Sequence, residues 1–206
     1  MWSKIPEFIQ NTPWQHHLWR IEDGEKSVFL TFDDGPTPGI TDQVLEILRE
    51  FNAKATFFCL GRNAEHYPDI VQKTRDEGHR IGNHSYSHLK GFRSSTDRYL
   101  EDVLMADRIL KTSLFRPPYG RIRRREANRL AKRFTVVMWE ILSHDYNRKL
   151  SPQKCYDNVM QAVRPGSIVV FHDSLKASAN MLECLPKVLK ELKKQGYAFK
   201  AIPETY

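Results

Sequence analysis

An α/β fold built on a parallel sheet is what the sequence predicts, and three observations predict it. Apolar, β-branched or aromatic runs alternate with helically spaced segments almost to the end of the chain. No shift of composition and no long linker interrupts the 206 residues, a length that suits one domain with a substantial core. Every cluster of chemically interesting side chains (Asp33/Asp34, His84/His88, Arg116, Asp145 and His172) falls just after a strand-like run. That is the address of a ligand site in a barrel or an open doubly wound sheet. The strand count favours an irregular barrel of about seven or eight strands.

Taken in order, Ser27–Phe32 is a β-branched and aromatic run that closes on Asp33-Asp34-Gly35-Pro36. Val44, Leu45, Ile47, Leu48 and Phe51 then recur at helical spacing over Thr41–Phe51, started by Thr41 or Asp42. Ala55–Leu60 reads as the second strand, ending at Gly61, and Asp69–Glu77 as a short helix closed by Gly78. Arg80–Asn83 is a brief strand feeding the histidine pair. Thr96–Leu114 reads as a long amphipathic helix through Leu100, Val103, Leu104 and Ile109. After the rigid Arg116-Pro117-Pro118-Tyr119-Gly120 turn comes a basic helix, then strand Thr135–Trp139, helix Pro152–Val163 and strand Gly166–Phe171. A final helix, Met181–Gln195, and a strand, Tyr197–Ile202, complete the pattern.

Composition narrows the class. With 40% hydrophobic and 28% charged residues the chain is neither disordered nor membrane-spanning, since no apolar run approaches the roughly 20 residues a bilayer needs. Pro6, Pro13 and polar residues break Met1–Arg20, so a secretory signal is absent and a cytoplasmic location is expected, unless a leader has been removed. Trp2, Ile5, Phe8 and Ile9 are expected to pack on the barrel. Cys59, Cys155 and Cys184 are odd in number, lack Cys-x-x-Cys spacing and read as buried free thiols. The net charge of +7 concentrates in Arg121, Arg123, Arg124, Arg125, Arg129, Lys132 and Arg133. Ile122, Ala127, Leu130 and Ala131 give that segment a buried side, so it reads as a solvated outer helix and no nucleic-acid partner is expected.

The chemistry begins with two adjacent carboxylates at the end of an apolar strand, costly to bury without a cation. His84 and His88, four apart, face one way if they share a helical turn, and together with a carboxylate they make a three-ligand metal site. Neighbouring side chains on an extended chain point apart, so one aspartate ligates while the other stands beside the water as a general base. Two histidines and one carboxylate also suit a non-haem iron oxygenase, which would leave Asp33, Arg116 and His172 unexplained. His16, His17, His66 and His79 read as surface or capping residues, and His144 as a weaker neighbour of the cleft.

Thr31-Phe32-Asp33-Asp34-Gly35, His84-Ser85-Tyr86-Ser87-His88, Arg116-Pro117-Pro118-Tyr119 and Val170-Phe171-His172-Asp173 resemble, in order and context, the motifs of the polysaccharide deacetylase family. This is the NodB-homology fold, or carbohydrate esterase family four. The resemblance runs from about Val28 to beyond Ile202. It implies a distorted (β/α) barrel over residues 27–202, with 1–26 as an extension packed on it. It implies a metal-dependent hydrolase that removes N-acetyl (or O-acetyl) groups from a polysaccharide or oligosaccharide by attack of a metal-bound water. Asp33 resembles the catalytic base, and Asp34, His84 and His88 the ligands of a divalent metal, zinc by ligand type, with cobalt or nickel also suited. Arg116 resembles the arginine that holds the base, and Tyr119 the residue whose backbone N–H stabilises the oxyanion. His172 is similar to the general acid and Asp145 to the carboxylate that raises its pKa. The partner so implied is an acetylated glycan, with peptidoglycan, chitin fragments and xylan all open.

The chain departs from the family pattern at three positions: Leu142 stands for a common Asp, Tyr146 for Trp and Val170 for Leu. Tyr146 and Val170 keep aromatic and apolar walls. Leu142 removes a carboxylate, which points to retained activity with an unusual substrate preference, or to a non-catalytic carbohydrate-binding member.

Overall fold

The structure, a computed structural model, describes residues 3–6 and 17–204. Trp2, Phe8, Ile9 and His16, on which expectations were placed, lie outside the described residues. Eight strands share one path: β1 (His17–Leu18), β2 (Ser27–Asp33), β3 (Ala55–Cys59), β4 (Arg80–Asn83), β5 (Leu114–Phe115), β6 (Thr135–Val137), β7 (Ile141–Leu142) and β8 (Ile168–His172). Their order is β1-β6-β5-β4-β3-β2-β8-β7, all parallel, and β9 (Ala198–Phe199) pairs with the start of β2.

That order forces a curl. β6 lies next to one edge and β7 forms the other, yet the chain passes from Val137 to Ile141 in four steps. Four extended residues reach at most roughly 14 Å, so the two edges must approach each other. The result is a curled half-barrel rather than a closed ring. Residues 3–5 cover the free edge of β7: Lys4 bridges Ile141 antiparallel, the Ile5 N–H donates to the Glu140 carbonyl at 2.9 Å, and the Leu142 N–H to the Ser3 carbonyl at 2.8 Å.

All seven residues of β2 are buried, as expected of a parallel strand covered on both faces. Its side chains alternate. Val28, Leu30 and Phe32 enter the cluster shared with the helices, and Phe29 enters a second cluster with Phe58, Trp139, Leu142, Ile168 and Val170 on the concave side. The helices are α1 (Ile40–Glu50), α2 (Gly61–His66), α3 (Pro68–Asp76), α4 (Thr96–Leu110), α5 (Arg124–Leu130), α6 (Pro152–Met160) and α7 (Ser178–Lys194). They cover the convex side through residues such as Val44, Leu48, Leu185 and Val188.

Several elements differ from the sequence reading. Gly39, not Thr41 or Asp42, caps α1; the Asp42 carboxylate accepts the Gly39 N–H at 3.1 Å, while the Thr41 hydroxyl is committed elsewhere. Helix α4 stops at Leu110 because Lys111 adopts a left-handed conformation (φ 48°), which frees Leu114 for β5. Leu104 lies on its exposed face, and Tyr99 and Ala106 supply the core instead. Of the strand expected over 135–139, only 135–137 forms one, β6; the chain then crosses to the far edge of the sheet, where Ile141–Leu142 forms β7. Helix α2 and strand β1 were not anticipated; neither is long enough to show a period.

Within the basic segment Ile122, Ala127 and Leu130 are buried, whereas Ala131 is exposed. Arg123, Arg129 and Arg133 pair with Glu126, Asp97 and Asp107. The three cysteines are buried and free. No helix among the described residues is long and apolar enough to cross a membrane.

Candidate metal and active site

Strand register builds the centre of the site. On β2, Thr31 and Asp33 follow Phe29 on the concave face, and Asp33 is the register partner of His172 on β8. Arg116, at the end of β5, is fully buried between them and the opposite wall. Its Nη1 donates to Asp33 Oδ1 and to Thr31 Oγ1, each at 2.7 Å, its Nη2 to the Met138 carbonyl at 3.0 Å and its Nε to the Val137 carbonyl at 3.3 Å. The guanidinium lies 4.1 Å from the Phe58 ring centroid. A carboxylate plus three neutral acceptors is what makes a buried guanidinium tolerable. Gly82 makes room for this stack, because a Cβ there would meet the Phe58 ring at 2.4 Å.

The two histidines do not share a helical turn, which corrects the sequence expectation. Residues 84–88 form an irregular loop in which Ser85 and His88 are left-handed (φ 65° and 60°). Side chains compete with the helical backbone there. Asn83 Oδ1 accepts the Ser85 N–H at 2.8 Å, Ser85 Oγ accepts the His88 N–H at 3.1 Å, and the Asp102 carboxylate accepts the Tyr86 and Ser87 N–H groups at 3.0 and 3.2 Å. The loop still brings both imidazoles to one point.

Asp34, left-handed at φ 79°, turns its carboxylate to that point. Its Oδ1 lies 3.3 Å from His88 Nε2 and 3.8 Å from His84 Nε2, and ligand atoms of the three residues all fall within 4.8 Å of one another. This Oδ1 is buried and has no hydrogen-bond partner among the described residues. An acceptor stranded between two imidazole nitrogens is a gap that a cation fills, and a carboxylate with two imidazoles is a donor set for zinc or a similar divalent ion. His84 Nδ1 is hydrogen-bonded to the Arg116 carbonyl at 2.8 Å, which orients Nε2 toward Asp34. Burial, helped by the neighbouring His88, pulls His84 down to about 3, and burial lowers His88 as well. Both rings are therefore neutral at pH 7, as metal ligation requires.

Across the cleft, His172 Nδ1 bonds Asp145 Oδ1 at 2.8 Å, and its backbone N–H donates to Asp145 Oδ2 at 2.7 Å. Burial disfavours the imidazolium. The charge and hydrogen bond of Asp145, then the charges of Asp34 and Asp33, outweigh burial and raise His172 to about 9. Tyr119 is left-handed (φ 62°), and its ring meets His88 edge-on at 4.5 Å. The turn's own hydrogen bonds run from the Gly120 and Arg121 N–H groups to the Pro117 and Pro118 carbonyls, which leaves the Tyr119 N–H outside them.

The cleft over these residues measures about 320 Å³, with Leu142, Tyr146 and Val170 in its wall. Tyr146 meets His172 edge-on at 5.0 Å. His144 is buried against Tyr146 and is not among the lining residues. His79 is no surface residue: it is buried, and its Nδ1 accepts the Ala55 N–H at 3.2 Å.

Sequence reasoning missed Asp173. It is buried, its Oδ1 accepts the Gly35 N–H at 3.1 Å, its Oδ2 accepts the Thr41 hydroxyl at 2.6 Å, and its own N–H donates to the Asp33 carbonyl at 3.2 Å. It thereby ties the Asp33-Asp34-Gly35 turn to β8 and to the start of α1. Its place directly after His172 was the one signal available.

Fold and site together define an α/β half-barrel protein with a mononuclear metal-type cluster at the carboxyl ends of its strands. The polysaccharide deacetylase family model matches residues 20–139. A peptidoglycan-N-acetylglucosamine deacetylase of Bacillus cereus is 34% identical over 93% of this chain and 93% of its own length. The peptidoglycan-N-acetylmuramic acid deacetylase PdaC of Bacillus subtilis is 31% identical over 86% of this chain, which spans 38% of that protein. Among solved structures, a peptidoglycan N-acetylglucosamine deacetylase in complex with a naphthalenyl N-oxidanyl-benzamide superposes with a TM-score of 0.87 at 31% identity, covering 93% of this chain and 92% of the other. A family-four pseudoenzyme from Bacillus anthracis does so at 0.80 and 27% identity, covering 90% and 67%. The chain belongs to the polysaccharide deacetylase family.

Proposed function

We propose that this protein is a metal-dependent carbohydrate deacetylase that hydrolyses N-acetyl groups, with O-acetyl esters as the lesser alternative, on a polysaccharide or oligosaccharide. The observation that carries the reading is the stranded Asp34 Oδ1 facing two neutral imidazoles, in a cleft that Asp33 and His172 also line. Asp34, His84 and His88 would hold the ion, zinc by donor type, with cobalt or nickel also suited. Such an ion supplies Lewis acidity and lowers the pKa of a bound water to about 7.

The chain's own residues do the rest. Asp33, fixed by the Arg116 guanidinium, accepts a proton from the attacking water. The Tyr119 N–H donates to the oxygen that becomes negative in the tetrahedral intermediate. His172, kept protonated by Asp145, delivers a proton to the departing amine nitrogen, and acetate leaves. Relatives named as peptidoglycan N-acetylglucosamine and N-acetylmuramic acid deacetylases support an N-acetylated glycan substrate.

The test is acetate release across a panel of acetylated glycans, with and without chelator. Asp33→Asn should abolish turnover while the ion still binds, whereas Asp34→Ala and His88→Ala should lose the ion. Full activity in Asp33→Asn ends this mechanism. Leu142, where the family pattern has a carboxylate, favours one second reading, a non-catalytic glycan binder. Sugar binding without acetate release under every divalent ion would establish it.

A further inference from the structure

Helix α2 takes no part in the chemistry above, yet both loops that carry the metal-type cluster are fastened to its first turn. The N-terminal N–H groups of a helix have no partner within it and need one elsewhere. Here the cap residue is Leu60, whose side chain cannot accept a hydrogen bond. The free donors go to the two loops instead. The Leu60 N–H donates to the Gly35 carbonyl at 2.9 Å, the Gly61 N–H to the Ser85 carbonyl at 2.9 Å, and the Arg62 N–H to the Tyr86 carbonyl at 3.2 Å. Gly35 follows Asp34, and Ser85 and Tyr86 lie between His84 and His88.

One side chain of the same turn joins in. Asn63 Nδ2 donates to the Asp34 carbonyl at 2.9 Å. That carbonyl and the Gly35 N–H belong to one peptide unit, and Asp173 Oδ1 accepts the N–H at 3.1 Å. The unit is therefore clamped at both ends, from α2 on one side and from the end of β8 on the other. The preceding unit is held as well, because the Asp33 carbonyl accepts the Asp173 N–H at 3.2 Å. Asp34 between them is left-handed at φ 79°, a conformation that a residue with a Cβ keeps only where its surroundings over-determine it. With the peptide planes on both sides fixed, its Cα–Cβ bond has one direction, and the carboxylate follows it to the imidazoles.

We propose that Asn63 is a positioning residue for the metal cluster. Its amide holds the Asp34 peptide so that the carboxylate stays turned to His84 and His88, while the first turn of α2 sets the spacing between the aspartate turn and the histidine loop. This rests on reading the cluster as a metal site and names a group, remote from the ion, that keeps it assembled. Asn63 is not among the residues lining the cleft, so it acts through Asp34. One neutral hydrogen bond of this kind is worth roughly three- to tenfold in an equilibrium constant. Its loss falls on ion affinity, because the freed turn spends less of its time in the ligating geometry.

The experiment measures zinc and cobalt(II) binding to the full chain stripped of metal, by calorimetry for both ions and by visible absorption for cobalt. Asn63→Leu keeps the size of the side chain and removes the donor; it should raise the Kd for both ions by roughly three- to tenfold. Thr74→Val is the comparison, since Thr74 Oγ1 donates to the Ile70 carbonyl at 2.7 Å within α3, outside the cluster and the cleft. That variant loses a bond of the same kind and should leave both Kd values at the wild-type level. Asn63→Ala removes the same donor and serves if the leucine variant does not fold. An Asn63 variant that binds as tightly as wild type overturns the inference while the metal reading stands. An equal rise in Kd in Thr74→Val also overturns it, because the effect would then be a general loss of rigidity. Wild-type protein that binds neither ion overturns the metal reading and the inference together.

Discussion

Replacing Arg116 by methionine removes the guanidinium at the centre of the concave face and strands the Asp33 carboxylate, which is 4% exposed. Breaking a buried ion pair from one side costs about 3–5 kcal/mol, because the remaining charge stays desolvated. The Met138 carbonyl loses its 3.0 Å contact as well, whereas the Thr31 hydroxyl keeps its 2.8 Å bond to the Val169 carbonyl. The loss should therefore fall in the upper half of that range. Asp33→Asn removes the charge but leaves an acceptor for Arg116, and the double variant leaves neither ion stranded. A double-mutant cycle should consequently be strongly non-additive, with a coupling of about 3 kcal/mol. Urea denaturation of the metal-free protein, with m unchanged across the four species, measures it without interference from ion binding. If Arg116→Met stays within about 1 kcal/mol of wild type, or the two changes add within about 0.5 kcal/mol, then Asp33 is not held by this ion pair.

The raised pKa of His172, about 9, places a loss of kcat/KM above that pH; Asp145→Asn should move this limb to lower pH, and an unmoved limb would remove His172 as the acid. In stability the same shift acts below the unfolded-state value near 6.5 and is lost as pH rises through about 9. His79 and His84 act in the opposite sense: burial lowers them to about 4 and about 3, so their contribution is whole above 6.5 and fades as pH falls toward 3. The metal-free melting temperature should drop over that window, and His79→Gln, whose amide oxygen can still accept the Ala55 N–H, should flatten the drop. Gly35→Ala places a Cβ 2.0 Å from Asp173 Oδ2 and should cost about 1–3 kcal/mol while displacing Asp34. Metal titration of that variant should show weakened binding, and wild-type affinity would clear Asp173 of any part in positioning the turn.

Legibility varied with the physical origin of each feature. β2, β3 and β8 were readable because both faces of a parallel strand are buried and the chain there is largely apolar. β1 and β7, two residues each, carry no such pattern; they exist because a curled sheet brings distant backbone into pairing range. The site residues were legible as types in order, since a carboxylate or imidazole after a strand is conspicuous. The way they are held was not. The loop over 84–88 converges through Asn83, Ser85 and Asp102 rather than through a helical turn, and only Asp102's position on α4 makes that possible.

The sequence alone determined the fold class, the longer strands β2, β3 and β8 and the identity of the chemically active side chains, because burial on both faces and costly buried charge leave local marks. Tertiary structure alone decided that Asp33 and His172 stand side by side, that Asp34 Oδ1 meets two imidazoles, and that Asp173 pins the turn between them. Those facts depend on strand register and on the curl of the sheet, and both arise from pairing between residues on separate strands, such as Phe32 with Phe57 and Asp33 with His172, which no local window contains.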